Sequence, residues 1–393
     1  MKGPVRAGLQ RSALIGFRLF QASLGTMLHS GEADALPTNR MRRLMKAFAF
    51  LGVGKVGVIE KAIPVAGLND AVIRTTASLI CTSDVHTVAG TLPLPEGRVL
   101  GHESVGVVHA IGEGVTRFRV GDRVAVNAAT PCGHCNPCQR GFAAQCGGML
   151  GAYKFTAQKD GNLAEYFHVN DADYNLAAIP AAMTDEQALY ATDMLSTGFV
   201  GAEYADIPIG GSVVIFAQGP VGLSATIGAK LRGAGLIIAV ESKPDRAALA
   251  RTYGADVVIN PRTEDVVARV MELTGDGADA AIEALGSQET FSNCIKVIKP
   301  GGVVSNIGYH GDGYSTLEIP LAEFGLGMGD KTIRTALCQG GRERMDRLFR
   351  LIQTKRFDPT LMTTHRFSFD QVDQAFEMMR NKQDNIIKPL ITF

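Results

Sequence analysis

The chain has 393 residues, 39 of them basic and 39 acidic, and 46% are hydrophobic. At roughly 100 to 200 residues per domain, this length predicts two domains with sizeable cores. Balanced charge with no long run of one sign argues against nucleic acid or an anionic membrane as a partner, because neither would find the electrostatic footprint it needs. Glycine at 45 residues and the absence of tryptophan fit an α/β protein with many tight strand-to-helix turns. Seven cysteines are an odd number. Four of them fall within 132–146, a pattern of metal ligation in a reducing compartment, the cytoplasm, rather than of a disulfide framework.

Residues 1–44 stand apart. Lys2, Arg6, Arg11 and Arg18 occur with no acidic residue in the first thirty positions, and Arg18 interrupts the most apolar stretch. That stretch falls short of the ~18 residues of a membrane span, and it lacks the uncharged core of a secretory signal. The segment reads as a leader, disordered or upstream of the true start, with an organelle transit peptide as the alternative. Met45 then opens the folded protein.

From residue 45 to about 130, short β-type runs such as KAFAFLGV, AVIRTTASLI, ESVGVVHAIG and DRVAVNAAT are punctuated by Gly and Pro, the pattern of an all-β or barrel-like region. After residue 200 the rhythm changes. GSVVIFA, LIIAVE, ADVVIN, ADAAIEAL and GVVSNIGY read as buried strands, separated by helix-compatible segments that include SQETFSNCIKVIKPGG. Such alternation predicts a parallel, doubly wound sheet. The tail beyond about 338 is expected to hold one helix, FDQVDQAFEMMRN, and a last strand in NIIKPLITF.

The run from Ala217 to Gly222 is an A-x-G-x-x-G form of the dinucleotide turn. Gly219 would let the backbone approach a pyrophosphate, Gly222 would allow close helix-to-strand packing, and the helix opened by Pro220 and Val221 would supply N–H donors. The bland alternative is an ordinary strand-to-helix turn, but its position after a buried strand favours the nucleotide reading. Glu241 ends the second strand, with Ser242 and Lys243 beside it. Its carboxylate would accept hydrogen bonds from the adenosine ribose and oppose a 2′-phosphate, so NAD is expected over NADP, with Lys243 keeping NADP as the alternative.

Cys132, Cys135, Cys138 and Cys146 form C-x2-C-x2-C-x7-C, a loop able to wrap one tetrahedral zinc at about 2.3 Å per sulfur. Such a site is closed to substrate and would hold together a lobe without a core. His134 would be surplus to it.

A second set is scattered: CTSDVH at 81–86, GHESVG at 101–106 and TDMLSTGF at 192–199. These runs resemble the zinc-dependent medium-chain dehydrogenases, most closely their bacterial secondary-alcohol branch, the isopropanol dehydrogenase type. The resemblance covers 45–393. It implies a GroES-like β-rich catalytic domain, 45–196 and 338–393, and a Rossmann NAD-binding domain, 197–337. It makes Cys81, His102 and Asp193 the catalytic zinc ligands and Glu103 a transient ligand. Asp84 would orient His102, and Ser83 and His86 would relay a proton from bound alcohol. Tyr153, Tyr309, Leu337 and Cys338 would line the substrate pocket. The implied enzyme carries two zincs per chain, oxidises small secondary alcohols reversibly, with primary alcohols as an extension of that range, and assembles as a homotetramer or dimer. One departure stands out: the branch often lacks the four clustered cysteines, which this chain shares with the wider family. The competing readings are a zinc-ribbon binding protein, which would leave the nucleotide turn unexplained, and a zinc-free reductase, which would leave Cys81, His102 and Asp193 unexplained.

Overall fold

A computed structural model describes residues 43–311 and 315–393. The leader expected over 1–44 therefore falls almost wholly outside the described residues. Leu44 already belongs to the first strand, Leu44–Phe50, one residue earlier than expected.

The β-rich part holds two sheets. A seven-stranded sheet runs in the order Thr363–Ser368, Lys388–Thr392, Ala71–Leu79, Glu103–Ile111, Arg123–Val126, Leu176–Ala178, with Tyr166–Val169 also paired to Ala71–Leu79. Its central antiparallel pair sets Leu79 opposite Glu103. Cys81 and His102, which lie just beyond that rung, are thus brought together although far apart in sequence. Val56–Ala62, Leu44–Phe50 and Arg98–Val99 form the smaller antiparallel sheet.

The second part is a six-stranded parallel sheet: Val257–Ile259, Leu236–Val240, Ser212–Phe216, Ala278–Glu283, Ile298–Asn306, Thr332–Thr335. Strand order turns back on either side of Ser212–Phe216, and ligands bind at such a switch point, outside the carboxyl ends of the strands. Phe216 lies opposite both Val240 and Glu283. The residues that follow, Ala217, Glu241 and Ala284, therefore share that edge.

Helix Met194–Tyr204 spans the expected boundary at 196 and 197. It packs tightly on helix Pro220–Leu231, because a side chain at Gly198 would begin 2.4 Å from Ser224 Cβ. One continuous buried cluster runs from Leu79 and Val105 through Leu195 to Ile215 and Leu223. That packing fixes Asp193, the residue before the helix, relative to the dinucleotide turn.

Two readings of the sequence need correction. Helix Gln288–Val297 stops before the expected end, and the strand starts at Ile298. Pro300 lacks an N–H and β-branched Val297 and Ile298 favour extension, which accounts for the early exit. The tail also contains a helix that the pattern reading passed over, Arg342–Gln353. Met345, Leu348, Phe349 and Ile352 supply its buried face, at the i, i+3, i+4, i+7 spacing of an amphipathic helix.

Candidate active site

Cys81 sits at the N-terminal boundary of the short helix Thr82–His86, and His102 directly precedes strand Glu103–Ile111. Asp193 precedes helix Met194–Tyr204. Ligand atoms of Cys81, His102, Glu103 and Asp193 all lie within 4.8 Å of one another, and all four residues are buried. Sulfur, nitrogen and oxygen ligands at 2.0 to 2.3 Å from a tetrahedral zinc would be separated by roughly 3.3 to 3.8 Å, so this donor set fits the ion. His102 Nε2 is 3.5 Å from Asp193 Oδ2, and the Thr197 hydroxyl donates to Asp193 Oδ1 at 2.7 Å.

Charge favours a cation here. Burial alone would lower the His102 imidazole, but the Tyr153 phenolic oxygen, Asp84 and Asp193 outweigh it and raise it well above its ordinary value. Burial would raise Asp193, yet the His102 contact and the Thr197 hydroxyl hold it below the usual carboxylate range. A buried group of acceptors that draws a proton to its one imidazole is a group that a divalent ion would satisfy.

The resemblance assigns Asp84 to the orientation of His102. In the structure, its carboxylate is a clamp between the two ligand-bearing segments: Oδ2 accepts from Cys81 N at 3.0 Å and Oδ1 from Gly101 N at 3.1 Å. His102 Nδ1 lies 3.5 Å from Oδ1. Ser83 Oγ is 3.3 Å from His102 Nε2. His86 lies in the same short helix, with its ring 6.4 Å from that of Tyr309. Tyr153 sets its ring 5.5 Å from His102, edge to face, and burial pushes its phenol up to about 12. Leu337 packs with the cysteine lobe. Cys338 is buried like the ligand residues, its thiol 3.3 Å from Asn127 Oδ1 and close enough to Asp193 to feel its charge.

Sequence reasoning missed Lys388. It is 1% exposed, and its ammonium donates to Glu103 Oε1 at 2.5 Å and to the Ile80 carbonyl at 3.2 Å. A lone lysine in the apolar run NIIKPLITF was the available signal, since a buried ammonium requires an anionic partner. Lys388 neutralises Glu103 beside the ligand set. Lys388→Met is expected to destabilise the protein by about 3 to 5 kcal/mol, because it strands a buried carboxylate. Adding Glu103→Gln should recover most of that loss, as read by urea unfolding.

The four clustered cysteines also converge within 4.8 Å. Cys135 Sγ is 3.4 Å from Cys138 Sγ and 3.9 Å from Cys146 Sγ, near the roughly 3.8 Å separation of thiolates on one tetrahedral zinc. A hydrogen bond from the Cys138 N–H holds the Cys135 thiol down to about 6, whereas burial pushes Cys138 up to about 12. His134 turns back on the loop, with Nδ1 2.9 Å from the Cys132 carbonyl. All seven cysteines are unpaired.

At the carboxyl edge of the parallel sheet lies a cleft of about 740 Å³ whose walls include Ala217, Glu241, Ser242, Lys243, Arg246 and Leu285. Gly219, Pro220, Val221 and Gly222 open helix Pro220–Leu231 beside it. Ala217 takes the left-handed conformation, φ 69, that glycine would adopt more readily. A side chain at Gly222 would begin 1.9 Å from the Ala217 carbonyl oxygen. Glu241 is fixed by three main-chain donors: Gln218 N at 3.0 Å on Oε2, and Ser242 N and Lys243 N, each at 2.8 Å, on Oε1.

A doubly wound nucleotide sheet joined to a β-rich domain with a buried sulfur, imidazole and carboxylate cluster defines a metal-dependent dinucleotide oxidoreductase. Known proteins agree. The family model of the alcohol dehydrogenase GroES-like domain matches residues 67–181, and that of the zinc-binding dehydrogenases matches 220–354. The NADP-dependent isopropanol dehydrogenase of Thermoanaerobacter brockii is 47% identical over 350 residues, covering 88% of this chain and 99% of that protein. The enzyme of the same name from Clostridium beijerinckii has the same identity and coverage. An alcohol dehydrogenase structure from Thermus sp. ATN1 superposes with a TM-score of 0.80 at 32% identity, over 88% of this chain and 99% of that one. The chain belongs to the zinc-dependent medium-chain alcohol dehydrogenase family, in its secondary-alcohol branch. It is an NAD(P)-dependent oxidoreductase of the zinc-using type. Among the described residues, no helix is long and apolar enough to cross a membrane.

Proposed function

We propose that this enzyme interconverts small secondary alcohols and ketones, and also accepts primary alcohols, with NAD preferred as its cofactor and two zincs per chain. The observation that carries the reading is the convergence of Cys81, His102 and Asp193 in one buried cluster. Cys81, His102 and Asp193 would hold the catalytic ion, with Glu103 beside it, and Cys132, Cys135, Cys138 and Cys146 the structural one. When bound, zinc lowers the pKa of an oxygen ligand, from about 15.7 to about 7 for water, and the nicotinamide ring accepts or returns hydride.

The protein's own groups do the rest. One thiolate and one carboxylate balance a divalent charge, and Lys388 keeps Glu103 from adding a third negative charge. Ser83 Oγ, 3.3 Å from His102 Nε2, receives the proton of the alcohol hydroxyl. His86, three residues on in the same helix, carries it outward. Asp84 fixes the main chain at Cys81 and Gly101, and the half-buried ring of Tyr153 shields His102 from water. Tyr309, 45% exposed, borders the path near His86.

Glu241 supports NAD. Its carboxylate is held at the cleft wall by the three N–H groups, where it would accept from ribose hydroxyls and repel a phosphate. The relatives' names, NADP-dependent, point the other way. Assaying short secondary and primary alcohols and their carbonyl products with both cofactors tests substrate class and preference together; activity confined to primary alcohols would refute the substrate reading.

Cys132→Ser is expected to reduce bound zinc from two to one per chain and lower stability by about 2 to 4 kcal/mol. Turnover at 25 °C should stay within about threefold, since the thiolate loop holds no reacting atom. Metal analysis and thermal unfolding, run beside the assay, check this. Free thiols fit the cytoplasm, and the branch resemblance supports a homotetramer, or a dimer.

A further inference from the structure

Glu283 has no part in the chemistry above. It ends strand Ala278–Glu283 at the carboxyl edge of the parallel sheet and is 0% exposed. A carboxylate in such a place is costly unless donors surround it. Oε1 accepts from Leu285 N at 3.0 Å, Gly286 N at 2.9 Å and the Thr290 hydroxyl at 2.7 Å. Oε2 is 3.1 Å from Gly286 N and faces His310 Nε2 at 3.4 Å. The Glu283 main-chain carbonyl accepts from Ile307 N and Gly308 N, both at 3.0 Å.

One residue therefore ties together two connections that leave adjacent strands. The first, 284–287 together with the opening turn of helix Gln288–Val297, supplies Leu285, Ser287 and Thr290 to the cleft wall. The second, 307–310, carries Tyr309 to its place beside His86. Two glycines show how closely they meet. A Cβ on Gly286, at φ +90, would lie 2.1 Å from the Tyr309 carbonyl oxygen, and one on Gly308 would lie 2.0 Å from Glu283 Oε2. The loops touch main chain to main chain, and the carboxylate occupies the gap between them. An apolar residue could fill that volume but could not bind the Leu285 and Gly286 N–H groups.

We infer that Glu283 is a positioning residue for the nicotinamide cofactor. It holds both connections in their binding arrangement before the dinucleotide arrives, so that binding does not have to order them. The inference rests on reading the cleft as the dinucleotide site, and part of its test is independent of that reading.

Hydrogen–deuterium exchange on the zinc-loaded protein without cofactor reads loop order directly. Glu283→Gln keeps the size of the side chain and a neutral acceptor, so it is the variant expected to fold where Glu283→Ala does not. A neutral acceptor is roughly half as strong. In Glu283→Gln, amide exchange should accelerate about tenfold in 284–290 and 307–310 together. The Kd for NADH, or for NADPH if the parent prefers it, should rise about tenfold by fluorescence titration. Zinc content and the alcohol KM at saturating cofactor should hold. Faster exchange in only one of the two segments, or a Kd within twofold of the parent, overturns the inference. A parent that binds neither dinucleotide overturns the cofactor reading and this inference with it, while the exchange result still reports whether one carboxylate orders both loops.

Discussion

Cys81→Ser is expected to lower kcat/KM for alcohol oxidation by on the order of 10³-fold, about 4 kcal/mol of transition-state stabilisation, while shifting Tm by no more than a few degrees. The serine hydroxyl stays protonated near neutral pH and supplies no thiolate, so the set would keep one anionic ligand against a divalent charge. Glu103 would not restore the missing charge, because the Lys388 ammonium 2.5 Å from its Oε1 already offsets it. The fold should survive. Cys81 sits at the start of helix Thr82–His86, a position that serine caps well. Bound zinc should drop by one per chain, leaving the four-cysteine loop filled. Normal turnover in Cys81→Ser with both metals retained would remove Cys81 from the ligand set.

The second large effect concerns cofactor choice. The unsubstituted enzyme should favour NAD over NADP by about 10- to 100-fold in kcat/KM. Two like charges about 4 Å apart near a protein surface repel by roughly 4 kcal/mol at an effective dielectric of 20. Lys243 and Arg246 in the same cleft wall offset part of that, leaving about 1 to 3 kcal/mol. Glu241→Ala should erase most of the preference, chiefly by improving use of NADP. Because the Glu241 oxygens also accept from Gln218, Ser242 and Lys243 N–H groups, Glu241→Gln is the control that removes charge while keeping an acceptor. If only Glu241→Ala relaxes the preference, the loop and not the charge sets it. A strong NADP preference in the unsubstituted enzyme, as the names of its relatives would have it, would refute the assignment to Glu241.

Much of the site was legible in the sequence because its chemistry is local. Four cysteines at short spacing, and a dinucleotide turn between a strand and a helix, state their roles within a few residues. Cys81, His102 and Asp193 were legible only through resemblance, since their meeting depends on the rung that pairs Leu79 with Glu103 and on the glycine-mediated packing of helix Met194–Tyr204. Lys388 and Glu283 were not read as part of either site. Each is a charged residue inside an apolar strand, and only tertiary structure reveals what it is paired with. Cys338 too was legible only through resemblance, and its buried thiol lies near Asp193 because the chain returns there after the parallel sheet. Helix Arg342–Gln353 had the right periodicity but is charge-rich on its outer face, so the pattern of one apolar stripe was easily passed over.

The central claim is that the buried cysteine, histidine and aspartate hold an ion on which turnover depends. Graded chelation of the full-length enzyme, with bound zinc and alcohol oxidation measured on the same samples, tests it most directly. Activity should fall in proportion to the loss of one zinc per chain and return when zinc is added back. Undiminished turnover in protein stripped of both zincs would contradict the account.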